Sequence, residues 1–111
     1  MNDQLEIKNT LHTELISKFF HALSNPTRLK IARKLLDEER NVGQLVGELQ
    51  LKQSQVSNQL ACLKDCGFVT SRQEGKFVYY KVTDERVREI IQLATNVVSD
   101  NADYINSCTK L

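Results

Sequence analysis

The sequence predicts a mainly α fold with one small β-hairpin, and three observations carry that expectation. Apolar residues recur at helical spacing in five separate stretches of the chain. β-prone residues cluster only between Phe68 and Val82, on either side of a turn-forming Gln73-Glu74-Gly75-Lys76. A hydrophobic content of 41%, with one Pro and four Gly, suits an ordered globular chain. At 111 residues there is room for a single domain, 1–111, with one core.

Taken in order, Leu5 to Phe20 reads as a first helix, with Leu11, Leu15, Ile16, Phe19 and Phe20 as its apolar stripe, extended to Leu23. A first helix this apolar in so short a chain is expected to serve a homodimer interface as well as the core. His12 and His21 lie near it and read as packing or surface residues rather than ligands. Ser24-Asn25-Pro26 then breaks the helix, with Asn25 suited to cap the next one and Pro26 to its first position. Leu29, Ile31, Ala32, Leu35 and Leu36 make that second helix a buried one, and Asp37 to Arg40 follows as a charged turn.

Asn41 is placed to cap a short third helix carrying Val42, Leu45, Val46 and Leu49. Gln50-Leu51-Lys52 links it tightly to a fourth, in which Val56, Leu60 and Leu63 share one face and Gly67 supplies a left-handed stop near Cys66. Two short helices joined by such a turn, the second with a polar face, form a helix-turn-helix pattern. The hairpin follows, with Gly75 at the turn and Arg72 and Lys76 bracketing its tip, so that it can lie as a wing against phosphates. Thr83 is expected to cap a last long helix striped by Val87, Ile90, Ile91, Ala94, Val97 and Val98. From Ser99 the chain turns polar and reads as a mobile tail, residues 99–111, ending beyond Cys108.

The fourth helix carries the chemistry. Ser54, Gln55 and Asn58 fall away from its apolar stripe, where short polar side chains can approach base edges and phosphates. Polar helix faces are usually just solvated, but here no charged residue occurs from Gln53 to Leu63, which is odd for a face that only meets water. Net charge is only +1 overall. It is distributed as zero over residues 1–51, +3 over 52–81 and −2 over 82–111, so the basic part coincides with the fourth helix and the hairpin.

Cysteine is usually a small core residue. Cys62 and Cys66 instead lie off the leucine stripe, and as i and i+4 neighbours they can chelate one ion. Thiolates suit Cd(II) and Pb(II) as well as Zn(II), and three sulfurs leave a structural zinc one ligand short. Three cysteines are an odd count, and neither a signal peptide nor a membrane-length apolar run is read in the chain, so a cytoplasmic protein with reduced thiols is expected. The helix C-terminus disfavours thiolate there, which argues for ionisation on metal binding over catalysis. No nucleophile–base constellation and no phosphate loop supports an enzyme, and no small-molecule substrate is expected.

In the order of these elements and in three motifs the chain resembles the ArsR/SmtB family of metal-responsive winged helix-turn-helix repressors, from about His21 to Val98. The motifs are Ala22-Leu23-Ser24-Asn25-Pro26-Thr27-Arg28, Ser54-Gln55-Val56-Ser57-Asn58-Gln59-Leu60 and Glu74-Gly75-Lys76-Phe77-Val78-Tyr79-Tyr80. Gln59 stands where the family commonly has His. The resemblance implies a homodimer that binds double-stranded operator DNA without metal, with Ser54, Gln55, Ser57, Asn58 and Gln59 toward the major groove and Arg72 and Lys76 on phosphates. The family's third-helix metal site needs a Cys-x-Cys pair near Asn41 to Gln44, which is absent. Its last-helix zinc site is matched by Asp84 but has Arg86 and Val97 where imidazoles belong. Cys62 and Cys66 with Cys108 in the tail look like the cadmium- and lead-sensing CmtR-type branch, in which metal binding dissociates the repressor. A thiol-based redox repressor on the same fold, or a winged-helix module for a protein partner, are the alternatives.

Overall fold

The computed structural model describes the backbone of residues 2–108 and the side chains of residues 8–108. The order is α1 (Asn2–Ala22), α2 (Pro26–Asp37), α3 (Val42–Leu49), α4 (Gln53–Asp65), β1 (Val69–Glu74), β2 (Phe77–Val82), α5 (Arg86–Asp100) and α6 (Ala102–Asn106). Residues 109–111 of the tail lie outside the described residues.

The start signals act largely as their chemistry requires. Asn25 Oδ1 accepts from the backbone N–H groups of Thr27 and Arg28, at 2.9 and 3.1 Å, and Pro26 opens α2 without an N–H to satisfy. Asn41 and Gln44 form a reciprocal capping box at α3, with bonds of 2.8 and 3.0 Å. The helix-turn-helix link begins at Gln50, whose φ of 54° is left-handed although it carries a side chain. Gly67, at φ 73°, lets the chain leave α4.

Two expectations are corrected. Thr83 does not cap α5; its N–H bonds Phe68, and Asp84 Oδ1 accepts from the Arg86 N–H at 2.9 Å instead. A carboxylate two residues ahead reaches that orphan donor where the threonine, held to the end of the hairpin, does not. Nor is the tail shapeless from Ser99: α5 continues to Asp100, and Asn101 breaks it before α6.

The core lies where α2, α3, α4 and the hairpin converge. Ile31, Leu45, Val56 and Leu63 are wholly buried there, and Leu60 nearly so. The hairpin is antiparallel, pairing Val69 with Val82 and Glu74 with Phe77. It is held to the body by Arg40, whose backbone exchanges two hydrogen bonds with Tyr80, at 2.8 and 3.1 Å. The Arg40 side chain donates to the Lys34 and Glu38 carbonyls and to Glu48. The segment read as a charged turn is therefore also the anchor of the wing.

α1 departs from this body. Among its described side chains, its end is tied in through buried Ala22 and the Phe19 ring, 5.1 Å from that of Phe68. The radius of gyration is 16.6 Å, whereas a compact domain of this length has about 13 Å. Leu11, Leu15, Ile16 and Phe20 on α1, and Leu93, Val97 and Val98 on α5, are each 44–65% exposed.

Candidate functional site

α4 is seated by Val56, Leu60 and Leu63, which share one side of the helix and are buried against α2 and α3. Burying that stripe fixes which residues face outward. Ser54, Gln55, Ser57 and Asn58 are exposed, and Gln59 is half-buried. Two of the five are already engaged. Gln55 Oε1 accepts from the Lys52 N–H at 3.2 Å, closing the first turn of α4. Gln59 Oε1 accepts from Arg28 Nη1 at 3.0 Å.

The wing residues differ from one another. Arg72 on β1 bonds Glu39 through Nε at 3.0 Å and again through Nη2, bonds Glu74 through Nη1 at 2.7 Å, and lies 5.0 Å from the Tyr79 ring centre. The Arg72 hydrogen bonds hold the Glu39 carboxyl below its ordinary range, and both carboxylates raise the Arg72 guanidinium above its own. Lys76 at the turn has its ammonium 5.4 Å from the Phe77 ring centre, and among the described residues no carboxylate pairs with it.

The thiols occupy the far end of α4. Cys62 is half-buried in its last turn, and exposed Cys66 follows as the residue that caps it. The Cys66 N–H donates to the Cys62 carbonyl at 3.1 Å, so the two residues stand one turn apart on the same side of the helix. Cys108 is exposed just after α6, its N–H bonded to the Ile105 carbonyl at 3.2 Å. Among the described residues, no three His, Cys, Asp or Glu side chains of one chain come together to hold a metal. The fold thus joins Cys62 to Cys66 but does not bring Cys108 to them within a protomer.

Sequence reasoning missed Arg28, Glu39 and Arg40. Arg28 stood inside a quoted motif, but no local spacing reveals a partner 31 positions away. Glu39 and Arg40 looked like solvated turn charges for the same reason.

A tri-helical core, a helix-turn-helix with an outward polar helix, and a two-stranded wing define a winged helix-turn-helix DNA-binding domain. The sequence model described as "Bacterial regulatory protein, arsR family" matches residues 25–71. A probable mercury resistance operon repressor of Streptomyces lividans is 39% identical over 100 residues, covering 90% of this chain and 80% of its own. The HTH-type transcriptional regulator CmtR of Mycobacterium tuberculosis is 37% identical, over 77% of this chain and 75% of that one. The solution structure of that cadmium sensor superposes with a TM-score of 0.63 at 38% identity, over 74% and 85% of the two chains. A homodimeric winged helix-turn-helix DNA-binding domain from Mycobacterium bovis superposes with a TM-score of 0.73 at 28% identity, over 86% and 87%. The chain belongs to the arsR family of bacterial transcriptional regulators, and its relatives regulate genes rather than catalyse reactions. No helix among the described residues is long and apolar enough to cross a membrane.

Proposed function

We propose that this chain is a homodimeric repressor that binds operator DNA in its metal-free form and leaves it when Cd(II) or Pb(II) binds Cys62, Cys66 and Cys108. The observation that carries the reading is the thiol pair, one turn apart and accessible at the end of the helix whose first half exposes Ser54, Gln55, Ser57 and Asn58. An ion held there acts on the reading element itself. Soft thiolates favour Cd(II) and Pb(II), and Zn(II) is a further ion that this donor set can hold. With no third ligand beside the pair among the described residues of one chain, the reading takes Cys108 from the partner. A metal bridging two protomers would change how the two reading helices are presented to successive half-sites.

A second copy also fits the exposed apolar faces of α1 and α5. They border a groove of about 410 Å³ lined by Phe20, Leu23, Ile90 and Val98 among others. Large contiguous apolar surface of this kind is rare on monomers. Ser54, Gln55, Ser57 and Asn58 would approach bases and phosphates, with Lys76 on the backbone beyond and Arg72, held by Glu39 and Glu74, supporting the wing.

The test is a titration with Cd(II), Pb(II), Zn(II) and Hg(II), followed by ultraviolet thiolate-to-metal charge transfer, with and without a bound duplex. Tight Cd(II) or Pb(II) binding that releases DNA supports the reading. Hg(II) alone acting, on the Cys62–Cys66 pair, would move the chain toward the function named for the Streptomyces relative. A redox repressor is the second reading, favoured by the exposure of Cys66 and by 35% identity, at a TM-score of 0.67, to the reduced form of HlyU from Vibrio cholerae. Peroxide that releases DNA in the absence of metal would select it.

A further inference from the structure

We propose that Arg28 is a positioning residue for DNA recognition, and that Gln59 serves as its partner on the reading helix instead of reading a base edge. The geometry is a three-way tie. Arg28 sits in the first turn of α2, its backbone N–H fixed by Asn25. Its side chain turns back to the end of α1, where Nε donates to the Ala22 carbonyl at 2.8 Å and Nη2 to the His21 carbonyl at 3.1 Å. Those are among the last carbonyls of α1, which have no partner inside the helix and carry its negative dipole end. Nη1 then donates to Gln59 Oε1 at 3.0 Å. The planar guanidinium thus binds α1 on one side and α4 on the other.

Ser24, in the turn that follows, also donates to the His21 carbonyl through Oγ at 2.7 Å, but among the described residues Arg28 is the side chain that carries a hydrogen bond from α1 across to another helix. The Phe19–Phe68 contact fixes where α1 meets the body, but a ring pair tolerates sliding and rotation more than a directed bond does. Gln59 is half-buried beside Leu60 and points its oxygen inward, whereas Ser54, Gln55, Ser57 and Asn58 are open to solvent. The buried stripe sets the rotation of α4, and the tie couples that seated helix to the end of α1. Because α1 carries exposed apolar surface suited to a second copy, the same tie relates the dimer's geometry to the reading face. This rests on the DNA-binding and homodimer reading above.

The test uses the full-length protein and a duplex enriched by that protein from random-sequence DNA, set against a scrambled duplex of equal length. Fluorescence anisotropy at fixed salt gives the affinity ratio between them. Arg28→Lys keeps the charge at the end of α1 but not the fork, and is expected to lower the ratio about tenfold, the scale of one charge-assisted hydrogen bond. Gln59→Ala, at a half-buried position that leaves the core intact, is expected to lower it similarly. Arg28→Lys added to Gln59→Ala should then lower it no further. Gln59→Glu keeps the acceptor oxygen and strengthens the pair. It should weaken both duplexes through its charge yet keep the ratio within about threefold of the parent.

A tenfold fall in the ratio for Gln59→Glu would mean that Gln59 reads a base with its amide, and the proposal would be wrong. Additive effects of Arg28→Lys and Gln59→Ala would overturn it equally. If the parent enriches no duplex at all, the DNA-binding reading fails and the positioning role fails with it. If the parent enriches one and the variants keep its ratio, the positioning role alone fails.

Discussion

Removing the ammonium of Lys76 should change the salt dependence of DNA binding, and removing the Arg72 guanidinium together with its partner should not. The two differ in what already neutralises them. Arg72 is held by Glu39 and Glu74, whereas Lys76, with no carboxylate partner among the described residues, faces the Phe77 ring, which attracts a cation without cancelling its charge. Each phosphate neutralised contributes about 0.9 to the slope of log K against log salt concentration. A dimer has two wings, so Lys76→Ala should reduce the slope by about 1.8. Between 50 and 200 mM salt the affinity lost by the parent should then exceed that lost by the variant by about tenfold. Arg72→Ala alone would leave two carboxylates unpaired near the DNA and confuse the comparison. The double variant Arg72→Ala, Glu39→Gln removes the pair at constant net charge, and its slope should change by less than half as much. Anisotropy on one duplex at five or six salt concentrations measures both. A slope change in the double variant as large as that of Lys76→Ala would refute the reasoning, since Arg72 must then leave Glu39 and Glu74 for phosphate when DNA arrives.

The remaining expectations concern the thiols, the dimer and acid stability. Cys62→Ser or Cys66→Ser should abolish both tight Cd(II) binding and metal-driven release, because the helix presents the two sulfurs as one chelate. Cys108→Ser should still bind Cd(II), more weakly, and lose most of the release from DNA; full release at saturating metal would place the switch inside α4. Leu15→Asp or Val97→Asp, each on an exposed apolar face, should convert a micromolar dimer to monomer in sedimentation. A persisting dimer in both variants would put the interface elsewhere. Arg86 holds the Asp84 carboxyl down to about 2 from an ordinary value of 3.8. A depressed carboxylate stabilises the fold fully above its ordinary range and loses that contribution as pH falls through about 2. Asp84→Asn should therefore flatten the decline of the melting temperature across that window. The effect is small because the pair is exposed, and a decline as steep as the parent's would show that it does not stabilise the fold.

The sequence by itself determined the first five helices, the hairpin and the seat of the reading helix, though not α6. Val56, Leu60 and Leu63 at helical spacing require one buried side, and burying it leaves Ser54, Gln55, Ser57 and Asn58 outward whatever the neighbours are. Asn25, Pro26, Asn41 and Gly67 act on groups within a few residues of themselves, so their roles were legible locally. The same locality made Cys62 and Cys66 readable as a pair.

Local reading failed where a partner was distant in the sequence. Thr83, read as the cap of α5, is held instead by its backbone bond to Phe68, and Asp84 accepts from the Arg86 N–H in its place. Arg72, read as a free phosphate contact, found Glu39 from the turn after α2 because the Arg40–Tyr80 bridge lays the wing beside that turn. Gln59, read as one more polar residue of the outward face, was turned inward by Arg28. In each case the side chain's period along its own helix or strand is fixed by the backbone. Which charge or carbonyl it meets is fixed only when elements tens of residues apart pack together, and that is what the tertiary structure decided.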